Sequence, residues 1–219
     1  MARILTNPRP IEDAVKRLLD VALAASALIV LSPVLLAIAI AVGLSDGTPV
    51  FFRQHRPGLH SRPFTIIKFR TMRSPLDGEV ASRTDARRVT RLGRLLRATS
   101  LDELPELWNV LRGDMSLVGP RPLLMEYLDR YTPRQLRRHD VRPGITGWAI
   151  VQGRHSLRFE DRLELDAWYV DHRSLRLDLR ILWLTLGQVF RRADVAVVQD
   201  VDAVGFPLED PVAGSPDRR

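Results

Sequence analysis

The segment Ser100-Leu101-Asp102-Glu103-Leu104-Pro105-Glu106-Leu107-Trp108-Asn109 sets two adjacent carboxylates just before a proline and an apolar stripe at helical spacing. Such a doublet is open to two chemistries. Ser100 and Glu103 match the S-x-x-E capping box, in which the carboxylate only satisfies free N–H groups at a helix start. The same helix start carries about half a positive charge, so it can also hold a carboxylate ionised as a nucleophile and attract phosphate. Capping boxes are common, and the difficulty for one here is Pro105, which would fall inside the helix that the box is meant to begin; it fits best at the first helical position.

A carboxylate can attack phosphorus only where the phosphate charge is screened. Candidates for the screen are Lys68 and Arg70 on one strand face, Arg97 one turn before the doublet, and Arg121 in Gly119-Pro120-Arg121-Pro122. Arginine suits bidentate phosphate contact and lysine a point contact. Lys68 stands out because it and Lys16 are the only lysines among 33 basic residues. For each of these side chains a solvated surface charge is the simpler alternative.

The elements that must position these groups follow from periodicity. Val50–Arg53 and Phe64–Arg70 read as two short strands, with Ile66, Lys68 and Arg70 on one face and Ile67 and Phe69 on the other. Residues 86–98 read as an amphipathic helix with a Val89, Leu92, Leu96 stripe and a face crowded with arginine, suited to water or to anionic headgroups. Leu104, Leu107, Trp108 and Leu111 predict a helix ended by Gly113. Residues 126–140 look helical but divided at Thr132-Pro133, and 142–148 form a structured loop leading into a short strand. Two further helices cover 159–170 and 175–190.

Upstream, residues 21–44 contain no charge. As one straight helix they would reach about 36 Å, enough to cross a hydrocarbon core of about 30 Å. Ser32-Pro33 divides them, and each half of about 16 Å matches one leaflet better than two. Ser32 can bond back to a carbonyl one turn earlier. Lys16 and Arg17 precede the block, while Arg53, Arg56, Arg62, Lys68 and Arg70 follow it, so the positive-inside rule puts both flanks in the cytoplasm. A helix that enters, breaks and returns satisfies both flanks; a kinked transmembrane helix is the alternative.

The chain of 219 residues therefore reads as α+β, mainly helical with a small β-hairpin, preceded by a re-entrant membrane helix and carrying amphipathic interfacial helices. The expected division is a lead and membrane helix over 1–46, a cytosolic catalytic domain over 47–192 and a tail over 193–219. The net charge of +7 suits nucleic acid, anionic lipid or a phosphorylated substrate. Absence of cysteine excludes disulfides, zinc-thiolate sites and thiol nucleophiles. Histidines lack metal-ligand spacing, and aromatic residues do not interleave with arginines as a single-strand stacking surface requires. Asp200-Val201-Asp202 offers a weak D-x-D metal site for a different transferase class. A membrane-anchored basic binding module without catalysis is the other alternative.

Ser32-Pro33, Lys68-Phe69-Arg70-Thr71-Met72, Arg97 through Pro105, Gly119-Pro120-Arg121-Pro122 and Arg142 through Trp148 occur together in this order. The ordered set resembles the bacterial sugar transferases, the monotopic phosphoglycosyl transferases. That resemblance implies transfer of a phospho-sugar from a UDP-sugar donor to a polyprenyl phosphate such as undecaprenyl phosphate, with UMP released. It implies Asp102 as nucleophile and Mg²⁺ ligand, and Glu103 as base or orienting group. Arg97 and Arg121 would bind phosphate, with Lys68 and Arg70 in support. It further implies a helix broken at Ser32 and Pro33 in the bacterial cytoplasmic membrane, membrane lipids as partners, no nucleic acid, and a homo-oligomer left open.

Overall fold

The computed structural model describes residues 10–74, 88–153 and 157–191. The expected tail and Asp200-Val201-Asp202 lie outside the described residues, as does the start of the predicted arginine-rich helix.

Helices α1 (Pro10–Val30) and α2 (Ser32–Asp46) meet at a bend of 63°. The cause is local. Pro33 has no N–H to give to the Ile29 carbonyl, and the Ser32 hydroxyl takes that acceptor at 2.7 Å. No single described helix is long and apolar enough to cross a membrane, whereas the bent pair together has the required apolar length. Leu18, Leu23, Ile29, Val30, Val34, Leu36, Ile40 and Leu44 are exposed along it. Asp20, Ala24, Ile38 and Val42 are buried and form its inner side.

Strands β1 (Phe51–Pro57) and β2 (Pro63–Phe69) form the expected antiparallel hairpin, with Phe51 opposite Phe69 and Pro57 opposite Pro63. Both arms of the bent pair pack on β2. Phe64 and Ile66 share a core with Ala24 of α1, together with Leu107, Val110 and Met115. Phe69 shares another with Ile38 and Val42 of α2 and with Leu96.

Helix α3 (Arg91–Thr99) begins later than predicted because Thr90 caps it, accepting from the Gly93 amide at 2.9 Å. Val89 lies before the helix, in a bridge to Met72. Next come a short 3₁₀ turn, Leu101–Glu103, and α4 (Glu106–Arg112), which Gly113 ends in the left-handed region at φ 91°.

The region after α4 departs most from expectation. Strand β3 (Ser116–Val118) pairs in parallel with β4 (Gly144–Thr146), a pairing that sequence reading did not anticipate. The loop at 142–148 thus contains its strand, and a helix, α6 (Trp148–Gly153), follows where a strand was expected. Between β3 and β4 the predicted break holds: a 3₁₀ segment, Met125–Arg130, ends before Thr132, which forms a capping box with Gln135 to start α5 (Pro133–Leu136). Helices α7 (Phe159–His172) and α8 (Leu175–Arg191) close the described chain.

Backbones around β3 and β4 approach too closely for any side chain. A Cβ on Gly144 would collide with the Gly119 amide nitrogen, and one on Gly147 with the Gly119 carbonyl. Gly187 in α8 meets nothing within 4 Å. Gly144→Ala is therefore expected to lower the thermal midpoint by several degrees or prevent folding. Gly187→Ala should be neutral or raise stability by up to about 1 kcal/mol, the helix-propensity difference. Thermal melts of the two variants in lipid nanodiscs check both.

Candidate active site

The turn carrying the carboxylate doublet hangs between two fixed helices. Ser100 ends α3 in the left-handed conformation, φ 56° and ψ 19°, which turns the chain sharply into Leu101–Glu103. Ser100 gives that turn no side-chain cap, and α4 starts only at Glu106 with Pro105 as its N-cap residue. The capping box suggested by Ser100 and Glu103 does not form.

Glu103 instead accepts from cations on two other elements. Lys68 of β2 reaches Glu103 Oε1 at 2.8 Å. Arg121, in the loop after β3, forms a fork: one nitrogen pairs with the same oxygen and the other reaches Oε2 at 3.4 Å. Lys68 also lies 3.2 Å from Glu106 Oε1. Burial alone would push the Glu103 carboxyl up, but Arg121 and Lys68 outweigh it and hold the group well below the usual carboxylate range. The Lys68 ammonium, destabilised by burial, is still held above its ordinary value by Glu103 and Glu106.

Asp102 is treated differently. It is 8% exposed, and among the described residues no side chain hydrogen-bonds to it. Burial and the adjacent Glu103 carboxylate raise it above its ordinary value, while Lys68, Arg97 and Arg121 partly offset the rise. Arg97 is positioned from α3, where its Nε donates to Thr71 Oγ1 at 2.9 Å. Gly93 lets α3 approach this closely, since a Cβ there would collide with the Thr71 carbonyl. The geometry is a carboxylate with a free face, within the field of three cations.

Of the side chains predicted from sequence, Lys68, Arg97, Asp102, Glu103 and Arg121 come together. Arg70 does not join them. Its guanidinium bonds the Asp46 and Gly47 carbonyls at the end of α2, so it fastens that helix to the strand that carries Lys68.

A profile of the bacterial sugar transferases matches residues 11–192. The chain belongs to the bacterial sugar transferase family. It is 50% identical over 191 residues to the uncharacterized sugar transferase EpsL of Bacillus subtilis, covering 87% of this chain and 95% of that one. It is 45% identical over 190 residues to the UDP-glucose:undecaprenyl-phosphate glucose-1-phosphate transferase of Caulobacter vibrioides, covering 82% of this chain and 71% of the relative. The Escherichia coli protein of the same name is 42% identical over 187 residues, which are 80% of this chain but only 40% of that larger relative. These names place the chain among the phosphoglycosyl transferases, as its motifs predicted, and set aside the non-catalytic binding module.

Sequence reasoning missed four residues that build this cluster. Glu106, which lies off the predicted apolar stripe and received no role, is 1% exposed beneath Lys68. Asn109, one turn later, is fully buried and serves β2 as a substitute strand: its Oδ1 accepts from the Ile67 amide at 3.1 Å and its Nδ2 donates to the Thr65 carbonyl at 2.7 Å. Thr71 orients Arg97. Arg138 holds the Arg121 carbonyl at 2.6 Å while paired with Asp166 at 2.7 Å and donating to the Tyr131 hydroxyl at 3.0 Å. The one available signal bore on Glu106: three carboxyls, Asp102, Glu103 and Glu106, fall within five residues.

The depressed Glu103 makes stability depend on acid. Its ion pairs contribute fully above the unfolded value of about 4.5, and that contribution is lost as pH falls toward the folded value. Melting of the wild type is expected to drop between about pH 5 and about pH 3. Glu103→Gln should be less stable at neutral pH and show a shallower acid limb; an unchanged limb would remove Glu103 as its source.

Proposed function

We propose that this transferase moves a phospho-sugar from a UDP-sugar to undecaprenyl phosphate through a covalent intermediate on Asp102. The observation that carries this reading is the division of labour among the carboxyls: Glu103 is committed to Arg121 and Lys68, whereas Asp102 is left without a hydrogen-bond partner in the same cationic field. The Caulobacter and E. coli relatives are named for UDP-glucose, and a 40% identical Aeromonas hydrophila relative for UDP-N-acetylgalactosamine, which supports the donor class and leaves the sugar open.

In the first displacement an Asp102 oxygen bonds the phosphorus that bears the sugar. The bond from that phosphorus to the bridging oxygen breaks, and its electron pair leaves with UMP. In the second, an oxygen of the lipid phosphate bonds the same phosphorus, the Asp102–phosphorus bond breaks, and the carboxylate is regenerated. Arg121, Arg97 and Lys68 offset phosphate charge in both steps, and a preorganised cation is worth most where water is excluded. Glu103 acts here as the anchor that aims Arg121 and Lys68. A carboxylate held so firmly in its ionised form is a poor proton acceptor, so the orienting role is favoured over the base.

Among the described residues no three acidic or histidine side chains group as a metal cage. Asp102, which has no hydrogen-bond partner among those residues, would hold Mg²⁺ together with donor phosphates and water, the usual arrangement for this ion. Bound there, it would neutralise diphosphate charge.

The bent α1–α2 pair supports a re-entrant seat in the cytoplasmic membrane, with the catalytic domain on the cytoplasmic face where the basic flanks remain. Membrane lipids would then cover its exposed apolar side.

With the full chain in nanodiscs, UDP-sugar and undecaprenyl phosphate should yield UMP in a Mg²⁺-dependent way. Asp102→Asn should reduce release at least about 10³-fold, the scale of losing a nucleophile. Donor without acceptor should add one phospho-sugar mass to the wild type. Full turnover by Asp102→Asn would exclude the covalent route.

A further inference from the structure

Glu106 is the carboxyl of this cluster that the two displacements do not use. It opens α4, is almost wholly buried, and its Oε1 faces the Lys68 ammonium at 3.2 Å without forming a hydrogen bond. Lys68 makes its shorter contact, 2.8 Å, with Glu103. One ammonium thus stands between two carboxyl groups that compete for it. The charged groups acting on Glu106 are Lys68 from β2, Glu103 from the turn before α4, and Arg121 from the loop after β3.

We propose that Glu106 is a positioning residue for Lys68 that works in its protonated form, taking up a proton when a nucleoside diphosphate binds so that Lys68 and Arg121 keep their charge for phosphate. The proposal rests on the reading above of those two cations as phosphate-facing. With Glu106 neutral, Lys68, Arg97 and Arg121 face two carboxylates, Asp102 and Glu103, and the cluster keeps one surplus positive charge. Ionisation of Glu106 cancels that surplus and draws Lys68 back toward α4. The proton comes from solvent, and only an O–H bond forms.

The titration agrees in direction. Burial raises Glu106 to about 7; Lys68 opposes the rise, Glu103 adds to it and Arg121 opposes it. The group is neutral below that value and anionic above it, so diphosphate affinity falls as pH rises through it. Proton uptake on binding follows from the same linkage. A glutamine at 106 would mimic the neutral state at every pH.

The test uses the full chain in nanodiscs, UDP with Mg²⁺ as the probe, and calorimetry in two buffers of different ionisation enthalpy. Between about pH 6 and about pH 8 the wild-type Kd is expected to weaken several-fold, up to tenfold for each pH unit above the titration point. Near neutral pH, binding should take up a fraction of one proton. Glu106→Gln should abolish that uptake and flatten the pH dependence of Kd. Glu106→Ala, which withdraws the support from Lys68, should weaken binding across the range. An infrared pH titration of the unliganded protein supplies a readout independent of binding: a protonated-carboxyl band present in the wild type and lost in Glu106→Gln. Unchanged proton uptake in Glu106→Gln, or a Glu106 carboxylate already ionised near pH 6, overturns the proposal. Failure of UDP to bind the wild type at all would defeat the phosphate-facing reading on which it rests, while the infrared band would still report the state of Glu106.

Discussion

Burying negative charge beside negative charge is the constraint around which this protein is organised. Asp102, Glu103 and Glu106 fall within one turn and the start of one helix, and each loses water on folding. Such a group persists only if it takes up a proton or if cations are brought to it with good geometry, because removing one partner leaves an uncompensated buried charge. Lys68 and Arg121 meet this need for Glu103, and they come from a hairpin strand and from a loop some fifty residues downstream. The ion pairs therefore join three separate parts of the chain at the place proposed above for the donor phosphates.

The rest of the body can be read as support for those two cations. Arg138 is spent on holding the Arg121 backbone, and it is in turn fixed by Asp166 and Tyr131. Tight glycine contacts between β3 and β4 set the backbone on which the Arg121 loop rides. On the other side, Asn109 completes the outer edge of β2 with side-chain amide bonds, fixing the strand register from which Lys68 projects. Arg17 on α1 donates to the Val110 and Leu111 carbonyls at 2.6 and 2.9 Å, so the end of the same helix is also satisfied.

The outline was legible in the sequence wherever one local rule governed. Pro33 had to bend its helix, the period of two had to give a hairpin, and a doublet before Pro105 had to sit at a helix start. The failures share a cause: long-range demands reset local preferences. The stripe through Leu104, Leu107, Trp108 and Leu111 placed Trp108 inward, yet Trp108 is half exposed while Glu106 and Asn109 are buried. No periodicity reports that Lys68 needs a second carboxyl or that β2 lacks an edge partner. The β3–β4 pair escaped because each strand is only three residues long, with its register set by glycine contacts rather than by apolar alternation. Arg70 was placed by strand period beside Lys68, and the strand's end lets it turn to the α2 carbonyls instead.

That misplacement ties the site to the bilayer reading. On the proposed re-entrant topology, the acceptor is a phosphate attached to a hydrocarbon chain, so it arrives at headgroup depth. The reacting carboxylate must be held at that depth to within about an ångström, the tolerance of a reactive contact. Strand β2 is the element able to do this. Phe64 and Ile66 pack toward α1, Phe69 packs toward α2, Lys68 sits in the site, and Arg70 grips the end of α2 directly after the strand. Seven residues thus register the carboxylate cluster against both arms of the bent pair. A bend at Ser32-Pro33 is then more than a means of returning the chain: straightening it would pull the two packing surfaces apart and carry Lys68 away from Glu103.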